Sequence, residues 1–180
     1  MTDRPVRRFA ARVATVGLVA AACVCTAAVE TPARAADDAL VTYKTLSPDL
    51  ALDAARAALA RCRADGFQIA VVVLDRFGQT QVLLRDRFAG LPSPEAATRK
   101  AYTAVGFRAA TGDLAQAIAT GQMDPALSRL PNVAMLRGGL PIESAGALLG
   151  GIGVAGAPGG DKDEACAKAG LDAIRDRLDF

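Results

Sequence analysis

The sequence predicts an α+β domain built on a five-stranded antiparallel sheet with helices packed against it, in a single domain. Three observations carry this expectation. Apolar runs of strand length alternate with stretches of helical periodicity in the order helix, two strands, helices, three strands, helix. The links between consecutive strands are hairpin-short, which precludes parallel neighbours, since those need crossovers of a dozen residues or more. A chain of 180 residues allows one compact domain, and its 52% hydrophobic content furnishes a core drawn from Ala, Val, Leu and Ile, because only 4% is aromatic.

Residues 1–35 read as a cleavable export signal and stand outside that domain. Arg4, Arg7, Arg8 and Arg12 form a positive leader, 13–29 is an uncharged apolar run, and Ala33-Arg34-Ala35 places small residues where a signal peptidase reads, with cleavage before Ala36. The apolar run is 17 residues, short of the roughly 20 that span a bilayer, so an uncleaved anchor is the weaker reading. Arg7-Arg8 leaves the twin-arginine and general export routes both open, and Ala21-Ala22-Cys23 offers a degenerate lipoprotein site as a minor alternative to cleavage before Ala36. The mature product is expected to be periplasmic or secreted, with no membrane association after cleavage. The leader holds five arginines against Asp3 and Glu30, and taking these from 21 basic and 19 acidic residues leaves 16 and 17, a net charge of −1. Near-neutral charge with scattered Lys and Arg excludes a nucleic-acid binder. The chain has no His, which removes Ser-His-Asp triads, Cys-His dyads and histidine-based zinc sites together.

Residues 36–46 lack periodicity and form a flexible lead-in to the domain at 47–180. Ser47-Pro48 reads as N-cap and first helical residue, and Leu52, Ala55, Leu59 and Cys62 then recur on one helical face, ended by Gly66. A continuous apolar run over 67–74 predicts a strand buried on both faces; Asp75-Arg76-Phe77-Gly78 turns the chain, and 79–85 alternates, completing a hairpin. Ser93-Pro94 repeats the capping signature ahead of a helix over 95–110, followed by a shorter one over 112–120. After a loop at 121–131, three short strands are expected at 132–137, 140–144 and 147–155, separated by Gly138-Gly139 and Gly146 as tight turns. A loop over 156–160 leads into a closing helix over 161–178.

Several residues carry candidate chemistry. Cys62 and Cys166 have three fates, a disulfide, two buried thiols or a reactive thiol; export, placement on separate helices and an even count favour the disulfide. Gly151-Ile152-Gly153-Val154-Ala155-Gly156 matches the dinucleotide fingerprint, but the chain ends in the next helix with no strand to follow, so these glycines read as strand positions where another backbone comes close. The glycine-rich loop at 156–160 could hold an anion on free N–H groups, but Asp161, Asp163 and Glu164 occupy the helix start and cap it themselves. These three acids are weak evidence for a hard cation, and no metal site is assigned. Lys100, in mid-helix among alanines, reads either as a buried base or Schiff-base nucleophile, or as a lysine at the surface or paired with Asp75 or Asp86. Tyr43, Tyr102, Met123 and Met135 are the remaining residues that could face a haem iron, beside Lys100.

Taken together, the segments from about Ser47 to Ile174 resemble the GlcG/HbpS family, the small haem-associated domains that also include the C-terminal domain of PduO-type proteins. The resemblance rests on Val71-Val72-Val73-Leu74-Asp75 with Gly78, on Arg85, on Ala97-Thr98-Arg99-Lys100-Ala101-Tyr102-Thr103-Ala104, on Gly138-Gly139-Leu140-Pro141-Ile142, and on 151–156 leading to Asp163-Glu164-Ala165-Cys166. It implies a profilin-like fold, a homo-oligomer with octamers known in some members, and binding of a small ligand or haem. The chain departs from the family in lacking histidine and in carrying Asp86-Arg87-Phe88-Ala89-Gly90 where relatives tend to have a short Asp-Gly-Ala-like turn. The resemblance makes Asp75, Arg85, Lys100, Thr103 and the turn with Gly138, Gly139, Pro141 and Ile142 the expected pocket wall. The expected function is an exported small-ligand-binding protein taking haem or a small anionic metabolite. The rival classes are a small isomerase or lyase on a hydroxy or keto acid, with Lys100 as base oriented by Asp75, and a ligand-free structural oligomer.

Overall fold

The computed structural model describes residues 40–178; the assigned export signal lies outside the described residues. The first helix, α1 (Pro48–Ala64), starts where the Ser47 side chain accepts a hydrogen bond from the Leu50 N–H at 3.3 Å. It ends in a left-handed Gly66 at φ 82°, with the Phe67 N–H returning to the Cys62 carbonyl and the Gly66 N–H to that of Arg63, a Schellman stop. Strands β1 (Ala70–Asp75) and β2 (Thr80–Arg85) follow, then helices α2 (Ser93–Phe107) and α3 (Thr111–Ala119) and a 3-10 turn (Pro125–Arg129). Strands β3 (Gly139–Ser144) and β4 (Ala147–Ala155) form the second hairpin, ahead of α4 (Gly160–Asp172). The closing helix is thus shorter than expected, giving way to a 3-10 turn at Arg175–Arg177.

The sheet is antiparallel, as expected, but has four strands in the order β2-β1-β4-β3, not five. The segment 132–137 is apolar yet forms no strand, because side-chain hydroxyls claim the backbone groups that a neighbouring strand would need. The Ala134 N–H donates to Thr103 Oγ1 of α2 at 2.8 Å, and the Leu136 carbonyl accepts from Thr111 Oγ1 of α3 at 2.6 Å. Asn132 also turns left-handed at φ 63°, breaking any extended run at its start.

Alternation along β1 divides the core. Val71 and Val73 face α1 and α4, whereas Ala70, Val72 and Leu74 face α2, and all five are fully buried. The layers are therefore helix, sheet, helix. On the α2 side the sheet is notched at Gly153, where a Cβ would stand 2.0 Å from the Ala97 carbonyl oxygen. Only glycine lets the helix backbone lie so close to the strand. This packing explains the glycines of 151–156 without a nucleotide.

The loop after β2 is pinned by Asp86, which is 3% exposed and takes three hydrogen bonds from the Arg63 guanidinium, the shortest 2.6 Å. The bonds from Arg63 hold its carboxyl below the ordinary 3.8, against the opposing effect of burial. A carboxylate with a lowered folded-state value contributes stability that is complete above 3.8 and disappears as pH falls through the lowered value. Asp86→Asn should accordingly flatten the acid limb of stability below about pH 4, measured as urea midpoints from pH 2.5 to 5. An unchanged acid limb would remove Asp86 as its source.

Candidate functional site

The buried polar centre of the molecule is Lys100, projecting from the middle of α2 with 4% of its surface exposed. Its Nζ donates to Asp163 Oδ2 of α4 at 2.7 Å and to the Val154 carbonyl of β4 at 2.9 Å. An ammonium has three donor hydrogens, so one is left for the adjoining cleft. Asp163 Oδ1 accepts from the Ala157 N–H at 3.0 Å, which ties the loop before α4 to the same pair. Burial pushes the Asp163 carboxyl above its ordinary 3.8, opposed by Lys100 and by the Ala157 N–H. Gly138, at φ 113°, closes over the pair: a Cβ there would stand 2.7 Å from the Asp163 Cβ and 3.1 Å from Lys100 Nζ. Gly139 passes so near the Lys100 carbonyl that a Cβ would stand 2.3 Å from its oxygen.

Of the residues expected to share a pocket wall, the structure brings together Lys100, Gly138 and Gly139. Thr103 lies behind them, fully buried, donating to the Arg99 carbonyl and accepting from Ala134, so it anchors the 132–137 segment and faces no cleft directly. Asp75 and Arg85 stand apart from Lys100 and from each other. Arg85 pairs in register with Ala70, at the end of β1 opposite Asp75, and donates to the Ala89 carbonyl. Asp75 lies opposite Gly150, four residues along β4 from Val154, or about 13 Å at the usual strand rise. Its Oδ1 accepts from the Phe77 and Gln79 N–H groups and shapes the hairpin turn. Asp75 therefore does not orient Lys100, and neither does Asp86, which is committed to Arg63. Pro141 and Ile142 border a separate depression with Leu171 and Arg175.

The partner that Lys100 does have, Asp163, was expected to cap its own helix. The α4 N-cap is instead Gly159, with no side-chain capping bond, and the Asp163 carboxylate turns inward. The signal available for this pairing was the lysine itself, since a charge among the alanines of a buried helix face requires a counter-charge.

Two clefts flank the ridge formed by 133–136. One, of about 470 Å³, lies between that ridge and the first turns of α2; its walls are mainly apolar, including Ala96, Val133, Met135 and Leu136, with Arg99 and Glu95 at the rim. The other, of about 360 Å³, lies on the far side of Met135 and Leu136 and is bordered by Lys100, Asp163, Arg137 and the backbone of Gly159 and Gly160. Met135 thus contributes to both. Among the described residues, no group of three or more His, Cys, Asp or Glu is placed to hold a metal ion.

The family model described as "Haem degrading protein HbpS-like" matches residues 46–172. The chain belongs to the HbpS-like family. Among solved structures, a double Glu-to-Asp mutant of HbpS from Streptomyces reticuli superposes with a TM-score of 0.72 at 37% identity, covering 89% of this chain and 98% of that one. A second HbpS structure gives 0.71 at 44% identity over 75% and 94% of the two chains. A complex of PduOC with haem gives 0.68 at 30% identity over 72% and 95%. The comparison with curated proteins returned no match. The HbpS-like assignment accounts for the mixed sheet-and-helix domain. The sequence contains no histidine, and the soft donor on the walls of the two clefts beside the ridge is the Met135 thioether. Tyr43 lies elsewhere, on the surface near the β1–β2 turn, whereas Tyr102 stands between that turn and a depression bordered by Glu95, Arg99 and Asn132.

Proposed function

We propose that this HbpS-like protein is an exported haem-binding domain that holds a flat, apolar anion in the cleft between α2 and the 133–136 ridge. The observation that carries the reading is the composition of that cleft: apolar walls of about 470 Å³, a thioether at Met135, and a guanidinium at the rim. Those residues fit a tetrapyrrole. Ala96, Val133 and Leu136 would exclude water from the ring faces, Met135 would face the iron, and Arg99 would meet a propionate. Arg99 is now paired with Glu95 at 2.6 Å on the surface, and exposed pairs of this kind exchange at small cost. Haem, when bound, supplies an iron centre for ligand and electron exchange. In this reading the leader is removed before Ala36, Cys62 and Cys166 are oxidised after export, and the domain assembles into a homo-oligomer, with the exposed Phe88 and Leu91 at contacts between copies.

The test is a haemin titration followed by absorption, beside light scattering. The expected result is a saturable Soret shift that Met135→Leu alters in position and Arg99→Ala weakens about tenfold, the equivalent of one charge-assisted hydrogen bond at roughly 1.4 kcal/mol. Featureless, unsaturating association, or identical titrations of both variants, would overturn it. The second cleft supports one other reading, a small carboxylate held by Arg137 and the remaining Lys100 hydrogen. Saturable binding of a small carboxylate that is lost in Arg137→Ala, with haemin unsaturating, would favour that reading.

A further inference from the structure

At the end of the sheet away from Lys100, a third cleft of about 350 Å³ is bordered by Tyr43, Arg76, Phe77, Tyr102 and Arg108, with Val105 and Leu148 as its apolar floor. Three of the chain's eight aromatic rings therefore gather at one opening, and all three are exposed, Phe77 by 61%, Tyr43 by 51% and Tyr102 by 42%. They are ordered against each other. Tyr43 meets Phe77 edge to face with ring centres 5.4 Å apart, and the Arg76 guanidinium lies 4.3 Å over the Tyr43 ring.

Two positive charges face this opening without a counter-charge. Arg61, Arg63, Arg99 and Arg177 each meet a carboxylate, but among the described residues neither Arg76 nor Arg108 does. Arg108 is also held in the left-handed region at φ 51°, where a non-glycine residue costs roughly 1 kcal/mol or more. The Asp75 carboxylate is engaged with the turn N–H groups and so holds Arg76 and Phe77 at the rim. Gly78 completes the wall, its Cβ position lying 3.4 Å from the Tyr102 ring.

We propose that this cleft is a second binding site, for a small aromatic carboxylate. The two guanidiniums would take the carboxylate by charge-assisted hydrogen bonds, and the ring would pack on Tyr102 and Phe77 over Leu148. A ligand with charge but no ring leaves the aromatic wall wet, and a ring without charge leaves both arginines unpaired.

The two tyrosines of the sequence both border this cleft; Tyr102 also borders a depression with Glu95 and Arg99, so Tyr43 is the direct reporter and a joint shift of both marks this cleft. In the full chain labelled with 3-fluorotyrosine, phthalate should shift both fluorine resonances saturably in the micromolar to millimolar range. Succinate and benzamide, which carry only the charges or only the ring, should bind at least tenfold more weakly. Arg76→Gln and Arg108→Gln should each weaken phthalate at least tenfold with an unchanged far-ultraviolet dichroism spectrum. Arg108→Gly, which suits the backbone at that position, should do the same without loss of stability. Absence of a saturable shift, equal binding of succinate, or undiminished affinity in the arginine variants would overturn the proposal. Met135→Leu should leave the phthalate titration unchanged, which separates this site from the haem reading.

Discussion

Lys100→Ala is expected to cost about 3–5 kcal/mol of folding stability, seen as a fall of roughly 10–20 °C in Tm. The lost packing of the side chain contributes, but the larger part is the charge left behind. Asp163 is 4% exposed, and its carboxylate would keep only the Ala157 N–H in a pocket already closed by Gly138. Burial already raises the Asp163 carboxyl above 3.8 with the lysine in place, so removing the lysine raises it further. The sign of the pH effect follows. A carboxyl with a raised folded-state value contributes its stability fully below the unfolded 3.8 and loses it as pH rises through the folded value. Lys100→Ala should thus be most damaging at neutral pH and should recover part of the loss on acidification towards about pH 4, where the wild type gains less. Lys100→Met combined with Asp163→Leu should restore most of the stability, because two apolar side chains of similar size replace a pair whose desolvation is costly. Urea midpoints of the wild type and of these two variants between pH 4 and 8 provide the measurement. A single variant within 1 kcal/mol of wild type would show that the pair is solvated.

The sequence made the helices legible because their boundaries are local. Ser47-Pro48 and Gly66 act on backbone groups within a turn of themselves, and the α1 limits follow from them. The buried strand β1 was equally plain as an uninterrupted apolar run. What failed was the fifth strand at 132–137, where the deciding partners, Thr103 and Thr111, lie 31 and 25 residues away and leave no mark in the segment. The pocket wall divides the same way. Gly138 and Gly139 stand out as a turn, and Lys100 as a charge among alanines, and these three do meet. Asp75 and Arg85 appear adjacent because they flank one hairpin, but the register of β1 places them at opposite ends of the sheet. Asp163 was hidden by its position in the first turn of a helix, where an acid already has a local explanation.

Replacing Cys62 and Cys166 by alanine is expected to lower stability by about 2–5 kcal/mol, the other large effect in this molecule. The two sulfurs sit at bonding distance, with Cα atoms 5.5 Å apart and 104 residues between them in sequence. A cross-link across roughly 100 residues removes close to 4.7 kcal/mol of chain entropy from the unfolded state in the loop-closure model, which makes it among the more effective lengths. Between the two helices themselves the surrounding side chains are small. The α1–α4 contact is built from Ala54, Ala58, Ala167 and Gly170, and a Cβ at Gly170 would stand 2.7 Å from the Ala54 carbonyl oxygen. Such small side chains pack the helices closely but bury little apolar area, at about 0.8 kcal/mol per methylene-sized group. Loss of the link should therefore loosen α4, whose first turns carry Asp163, and weaken the Lys100 pair with it. The double alanine variant should unfold roughly 10–20 °C lower than the oxidised protein, and its amide protons in α1 and α4 should exchange faster than those in β1. Both cysteines are fully buried, so a reductant should act on the oxidised protein only after unfolding begins. Titration of the unfolded protein should find no free thiol from Cys62 or Cys166. Two free thiols, or a double variant as stable as the parent, would show that the helices hold without the link and that the protein matures in a reducing compartment.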